Sequence, residues 1–350
     1  MRRYGRRYGV LLAGVVAALA LGAPAALAAK GKPTRAATLN LYVGSDVAQA
    51  VVAPDVPALE AAAGTIYEEV VASNPRDRIR IQAKLIKRQR PDVLGLQEVE
   101  TVYQGPKDDP APATDPVFDF RRLLLKQLRK KGAPYRVASE VENVDVEVPT
   151  DQGLDVRLVD HDVLLVRKGR DVKVQQTGGA NFQTKLEVPL AGGAFGTLAI
   201  PRGYVDANVK IRGRKLHVVN THLEAFIAGP RNAQATELLA AGGPLESSRP
   251  VILLGDLNSA PDGTSSGDSA EAYAMMLAAG FVDRGVTQDT CCWDANLLGG
   301  ALTTRIDHVL VKPGARGTGA KRTGAENSPL TAAGQLPSDH TGVFSRLRFP

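Results

Sequence analysis

Val251-Ile252-Leu253-Leu254-Gly255-Asp256-Leu257-Asn258 is an apolar run that stops at an acid and, two residues later, an amide. A short continuous apolar run bounded by glycine reads as a strand buried on both faces. Such a strand has no structural use for a carboxylate at its tip, and polar groups gathered at strand ends usually line a site. Three more fragments share the design. Val93-Leu94-Gly95-Leu96-Gln97-Glu98 ends in an acid and Val218-Val219-Asn220-Thr221-His222 in an imidazole, while Ser338-Asp339-His340 leads into the apolar Thr341-Gly342-Val343-Phe344. Four fragments of one design imply an enzyme.

Working outward, 36–43 reads as a strand containing Asn40, and 58–72 and 77–89 as helices. Pro91 separates the second helix from a strand over 92–99. Residues 119–131 form an amphipathic helix with Asp119 as N-cap and Gly132 beyond its end. Strands are expected over 135–139 and 163–167, flanking an acidic connection, and 208–211 with 215–220 read as a hairpin across Gly213. Helices over 231–241 and 269–279 and strands over 305–311 and 342–349 complete the pattern. Residues 100–116, 141–159 and 284–300 are expected as loops that shape selectivity. With no repeat and no linker, one layered α/β domain over 36–350 fits best.

The N-terminus is set apart. Arg2, Arg3, Arg6 and Arg7 precede an apolar stretch from Val10 to Leu21, followed by Pro24-Ala25-Ala26-Leu27-Ala28-Ala29. A basic head, a short apolar middle and small residues in an A-x-A pattern describe an export signal over 1–29. The apolar run is short for a span of about 20 residues, so cleavage after Ala28 or Ala29 is expected. The mature protein would then be extracellular, start with a polar lead-in over 30–35 and keep no transmembrane anchor. Removing four arginines and no acid from a +6 chain leaves +2. The apparent basicity therefore gives little support to nucleic-acid binding.

Asn40, Glu98, His222, Asp256, Asn258, Asp307, Asp339 and His340 all sit in or at the tips of expected strands. Carboxylates with an amide oxygen make a hard-cation site of the kind that suits Mg²⁺. Imidazoles nearby can move protons near neutral pH, and a divalent ion beside them can stabilise a phosphoryl transition state. Each residue alone has a structural reading: Asp256 and Asn258 as a turn bonding its own backbone, Glu98 as a solvated strand end, His222 as a core histidine. All of those would have to hold at once. Zinc is disfavoured, because Cys291 and Cys292 lack ligand spacing, and no Walker-type phosphate loop appears. Neighbouring Cα atoms lie about 3.8 Å apart across a trans peptide, short of the usual disulfide range of about 4.4–6.8 Å. A vicinal bridge would be strained, so two buried thiols and an oxidised pair both stay open, and neither reads as catalytic.

In order along the chain, Thr38-Leu39-Asn40, Leu96-Gln97-Glu98, Asn220-Thr221-His222-Leu223, Gly255-Asp256-Leu257-Asn258, Arg305-Ile306-Asp307 and Ser338-Asp339-His340 resemble the motifs of the endonuclease/exonuclease/phosphatase superfamily. The resemblance implies a deoxyribonuclease I-like four-layer α/β sandwich, two packed mixed β-sheets flanked by helices. It implies phosphodiester hydrolysis by in-line attack of water with Mg²⁺, or Mn²⁺ or Ca²⁺ in its place. Glu98, Asn40 and Asp339 would form the metal site. Asp256 and Asn258 would orient water and phosphate, and His340, held by Asp307, would act as one imidazole. His222 would be the other, touching substrate near the leaving group and oriented by Asp160 or Asp162. A histidine at 222 resembles the branch containing deoxyribonuclease I, bacterial sphingomyelinases and deadenylases rather than abasic-site endonucleases. Nucleic acid is the slightly favoured substrate, a phospholipid headgroup the alternative; a phosphomonoesterase or an inactive binding module follows, and no stable protein partner is implied.

Overall fold

The computed structural model describes residues 31–264, 269–325 and 328–349. The basic–apolar segment over 1–29 and Lys30 lie outside the described residues. The chain begins with β1 (Thr34–Asn40), α1 (Ala48–Val51), α2 (Val56–Ala72), α3 (Pro75–Gln89), β2 (Val93–Gln97), β3 (Thr101–Pro106), β4 (Asp115–Asp119) and α4 (Phe120–Lys130). Next come β5 (Tyr135–Pro149), β6 (Leu154–Arg167), β7 (Val172–Asn181), β8 (Leu186–Pro189), β9 (Thr197–Ile200), β10 (Gly203–Ile211), β11 (Arg214–His222) and α5 (Ala228–Leu239). The remainder is β12 (Val251–Asp256), α6 (Glu271–Ala278), β13 (Val282–Asp283), β14 (Asp307–Lys312), β15 (Arg316–Thr323) and β16 (Gly342–Arg348).

Two mixed sheets pack face to face. One runs β15-β16-β1-β2-β6-β3-β4 with β5 also on β6, and the other runs β13-β14-β12-β11-β10-β7. Strands facing two apolar layers explain the unbroken hydrophobic runs. On β12, Ile252 and Leu254 enter the core between the sheets, while Leu253 points out to Leu238 of α5 and Met276 of α6. On β2, Val93 faces inward, and Leu94 and Leu96 pack with Ile86 of α3 and Leu124 of α4. Each such side chain contributes about 1.5–3 kcal/mol on burial. Helix, sheet, sheet and helix make four layers.

A polar clamp crosses the inner core. Asn220 on β11 is fully buried; its Oδ1 accepts from Gln97 Nε2 at 2.5 Å and its Nδ2 donates to Leu96 O at 3.0 Å. Gly95 makes the approach possible, since a Cβ there would meet Asn220 Oδ1 at 2.1 Å. Satisfied buried hydrogen bonds of this kind fix a single register between packed sheets. The clamp therefore ties the end of β2, one residue before Glu98, to β11, which ends at His222.

Two expected loops are strands. Over 100–116 the chain forms β3 and the edge strand β4; Pro116 lies on that edge, and Pro106 is the last residue of β3, beyond its pairing with β4. Over 141–159 it forms the long β5–β6 hairpin, with Val146 opposite Leu158 and Val148 opposite Val156. The alternation Val144-Asp145-Val146-Glu147-Val148 is a period-2 signal that the acidic composition hid. The α4 expectation matches: Asp119 accepts from Arg122 N at 2.7 Å, and Gly132 turns the chain at φ +70°.

Candidate active site

Three residues occupy one rung of the second sheet. His222 of β11 is the parallel partner of Asp256 on β12, and Asp256 is the antiparallel partner of Asp307 on β14. Register alone thus lines an imidazole and two carboxylates side by side at the strand tips. Gly255 permits it, because a Cβ there would stand 2.2 Å from Thr221 O.

The first sheet and the loop before β16 supply the rest. Glu98 follows β2 in a left-handed conformation at φ +51°, a costly one for a residue with a Cβ. Its carboxylate accepts from Asn40 Nδ2 at 2.8 Å and Val43 N at 3.0 Å. Ser338 Oγ donates to Asn40 O at 2.9 Å and accepts from His340 N at 3.1 Å, tying Asp339-His340 to the end of β1. Buried Arg78 braces the same turn by donating to the carbonyls of Leu41, Tyr42, Val43 and Pro337.

The structure brings Asn40, Glu98, His222, Asp256, Asp307, Asp339 and His340 together, with Asn258 adjoining. Asn40, expected at the metal site, also has partners of its own. Its Oδ1 accepts from Tyr42 N at 2.9 Å, and its Nδ2 faces Glu98 and Asp256, the latter at 3.2 Å. An N–H needs an oxygen and a carboxylate needs a donor, so the partners dictate the amide orientation. Asn40 bridges the two acids rather than offering them an oxygen. Asn258, at φ +46°, donates Nδ2 to Leu223 O at 3.0 Å, and its backbone N–H donates to Asp256 Oδ1 at 3.0 Å.

The two imidazoles are held in opposite charge states. Burial works against charge on His340, yet Asp307, Asp339 and Asp256 hold its pKa well above the ordinary 6.5. His340 Nδ1 lies 2.9 Å from Asp307 Oδ2, and its Nε2 is 3.7 Å from Asp256 Oδ2. His222 goes the other way: burial, then Arg202, then His340, pushes its pKa well below 6.5. Arg202 Nη1 stands 3.2 Å from His222 Nδ1. A guanidinium only donates, so Nδ1 is the acceptor and the ring proton sits on Nε2, 3.6 Å from Asp256 Oδ2.

Asp160 and Asp162, expected to orient that ring, are replaced at its Nδ1 by Arg202. Asp160 pairs instead with Arg202 at 3.9 Å, as does Glu224 at 3.8 Å, and Asn143 donates to both Asp160 and Asp162. Asp162 and Glu100 are fully enclosed, and burial followed by the Asp160 charge raises both pKa values. Arg202, two residues beyond β9, carries no local signal in the sequence; only the folded chain places it beside His222.

Asp256 is pushed up to about 7 by burial and by Asp307, and Asp339 to about 7 by burial, with Glu98 adding to the push. Carboxyls held so high mark a shortage of positive charge that a hard cation would relieve. Of the four gathered acids, Glu98 and Asp339 keep partial exposure, while Asp256 and Asp307 are buried. The donor set therefore fits a divalent cation. Ligand atoms of Cys291, Cys292, Asp339 and His340 also lie within 4.8 Å of one another. The two cysteines are joined as a disulfide, which removes the thiolates a soft metal would need. Cys291 Sγ nonetheless lies 3.4 Å from His340 Nε2, so the pair forms part of the site wall.

The profile of the endonuclease/exonuclease/phosphatase family matches residues 37–340, and the chain belongs to that family. Its members are hydrolases of phosphate esters that depend on divalent metals. Solved structures agree on the fold. A family member from Bacteroides vulgatus is 17% identical, with TM-score 0.55 over 91% of this chain and 100% of that one. A mannosyl-6-phosphatase from Bacteroides thetaiotaomicron is 17% identical, with TM-score 0.51 over 90% and 100%. TDP2 of D. rerio, complexed with a single-strand DNA product, is 18% identical, with TM-score 0.53 over 90% and 99%. No curated protein matched the chain in a sequence comparison.

Proposed function

We propose that this hydrolase is an exported, Mg²⁺-dependent phosphodiesterase. The observation that carries the reading is the rung His222–Asp256–Asp307, with a charged His340 beside it and Glu98 and Asp339 open to the same space. The cation, held by Glu98 and Asp339, would supply Lewis-acid polarisation of the phosphoryl group when bound. The chain's own groups do the rest. Asp256, near pH 7 in affinity, accepts the proton of the attacking water. His340 donates to phosphoryl oxygens as charge grows on them, kept cationic by Asp307. His222 offers Nε2–H toward the leaving oxygen, its tautomer set by Arg202.

Diester specificity rests on the wall around the site, which lacks the spare cations that a dianionic monoester would want. Among the described residues lining the cavity, Arg202 is the sole Arg or Lys, and it is already engaged by Asp160 and Glu224. The basic–apolar head over 1–29 supports export. Among the described residues, no helix is long and apolar enough to cross a membrane.

Purified protein with MgCl₂ is expected to release nitrophenol from bis(4-nitrophenyl) phosphate far faster than from 4-nitrophenyl phosphate, and to stop in EDTA. A preference for the monoester, or turnover unaffected by chelation, would overturn the reading. Residue 29 or 30 at the N-terminus of protein recovered from the medium would establish export; an intact leader in the cell fraction would refute it.

A further inference from the structure

The catalytic groups line part of a cavity of about 620 Å³ whose remaining lining is mostly apolar, with Ser45, Asp46, Thr264, Thr303 and Thr304 among it. Two strands show how the change of character is built. On β6, every second residue faces in, passing from Val156 through Leu158 to Asp160. Along β9 and past its end, the same spacing runs Leu198, Ile200, Arg202. Both stripes begin in hydrocarbon and finish in the Asp160–Arg202 pair behind His222. At about 3.3 Å per residue, Val156 to Asp160 spans about 13 Å of wall.

A helix adds to the apolar lining. Leu59, Ala63 and Ile66 of α2, at helical spacing i, i+4, i+7, present one apolar face to the cavity. Leu59 and Ala63 pack with Val148 and Leu190 in a small cluster separate from the three main cores. That cluster is itself packed, and its partly covered neighbours Val146 and Leu198 edge the cavity. Phe226, itself in the wall, is 37% exposed, and Val52 and Phe195, neighbours of wall segments, are 75% and 38% exposed.

From this we infer that the cavity takes a hydrocarbon chain attached to the phosphate, so that the substrate is an amphiphilic phosphate ester of lipid type. This deepens the phosphodiesterase reading and rests on it for the position of the phosphate. A polynucleotide is disfavoured by the same wall. Strands of nucleic acid are bound along basic grooves with stacking aromatics. Here the lining holds Asp46, Glu98, Glu100, Asp160, Asp256 and Asp339 against the single Arg202, and the rest of it is mostly apolar. The lining therefore favours a phospholipid substrate over nucleic acid.

The test is a series of n-alkylphosphonates from ethyl to decyl, each below its micelle concentration. Binding to the full mature chain in MgCl₂ is measured by calorimetry, and inhibition of bis(4-nitrophenyl) phosphate hydrolysis is measured in parallel. The dissociation constant is expected to fall about two- to fourfold per methylene, the upper figure for complete burial, until the cavity is full. Val146→Asp, which places a charge on β5 in the cavity lining beside its partner Leu158, and Ala63→Phe, which fills the space, are each expected to flatten that slope. A slope of one in the wild-type protein, or an undiminished slope in both folded variants, overturns the inference. So does tighter binding of a single-stranded oligonucleotide than of decylphosphonate. Wild-type data decide the matter even where neither variant folds. No diester turnover with a steep binding slope would remove the phosphodiesterase reading alone; turnover with a flat slope would remove the hydrocarbon site alone.

Discussion

Arg202 holds its guanidinium 3.2 Å from His222 Nδ1, so a cation stands where a carboxylate was expected. A carboxylate behind a histidine favours the charged ring; a guanidinium favours the neutral one. His222 is therefore built as a hydrogen-bond donor through Nε2 and stays neutral far below pH 6.5.

Arg202→Leu removes the second-largest cause of that depression and leaves Asp160 and Glu224 to attract charge. The folded pKa of His222 then rises, and the neutral ring is lost sooner as pH falls. Without Arg202 the neutral ring is free to carry its proton on Nδ1, whereas the charged ring keeps Nε2–H in either case. We expect a rate loss of about tenfold or more at pH 7 that narrows as pH falls. Arg202→Lys, which keeps a donor at Nδ1, should lose less. A deficit in Arg202→Leu that is constant with pH would refute the assigned tautomer.

Asp307→Asn takes away the largest support for charge on His340, which burial already opposes. Its pKa should fall, bringing the basic limb of the rate profile down, with kcat reduced about 10²–10⁴-fold. His340→Ala should lose as much, and the double variant little more, because the two act as one unit. Full additivity of the two losses would separate them.

Glu98→Gln keeps hydrogen bonds within reach but removes a charge from the cation site. Turnover should fall by orders of magnitude, and the protection given by Mg²⁺ in thermal unfolding should shrink with it. For wild-type protein that protection is about 2.7 kcal/mol at a concentration one hundred times the dissociation constant. Equal Mg²⁺-dependent shifts in Tm for both proteins would place the cation elsewhere.

Asp92 lies far from the site, where it joins β1, β6 and the β10–β11 turn. Burial raises its pKa, but Arg212 at 2.6 Å, Arg167 at 2.7 Å and the Arg35 N–H bring it below the ordinary 3.8. A depressed folded pKa contributes stability that is complete above about 3.8 and is lost as pH drops through the folded value. Asp92→Asn should cost about 3–5 kcal/mol at pH 7, and its deficit should narrow below pH 4. A deficit constant from pH 7 to pH 2 would contradict the ion-pair account.

Much of the site was legible before folding because its residues sit where apolar runs stop. Glu98, His222 and Asp256 each follow such a run, and Asp339-His340 precedes one, so one local rule found them all. The same rule could not see Arg202, which follows a short edge strand, nor the roles of Asn40 and Asp160, which depend on the neighbours that folding supplies. The β5–β6 hairpin was hidden for a different reason: the five acids over 141–159 were read as loop composition, and composition outweighed the alternation of the valines.

What the linear chain determined was the core strands β1, β2, β11, β12 and β16, the helices packed on them and the acids and imidazoles at their tips, because strand burial and turn chemistry are local. Tertiary structure alone decided that His222, Asp256 and Asp307 share a rung, that Arg202 rather than an acid touches His222, and that a mostly apolar cavity lining adjoins them. Register, charge environment and unfilled volume are properties of neighbours distant in sequence, and the pKa of a buried group depends on all three.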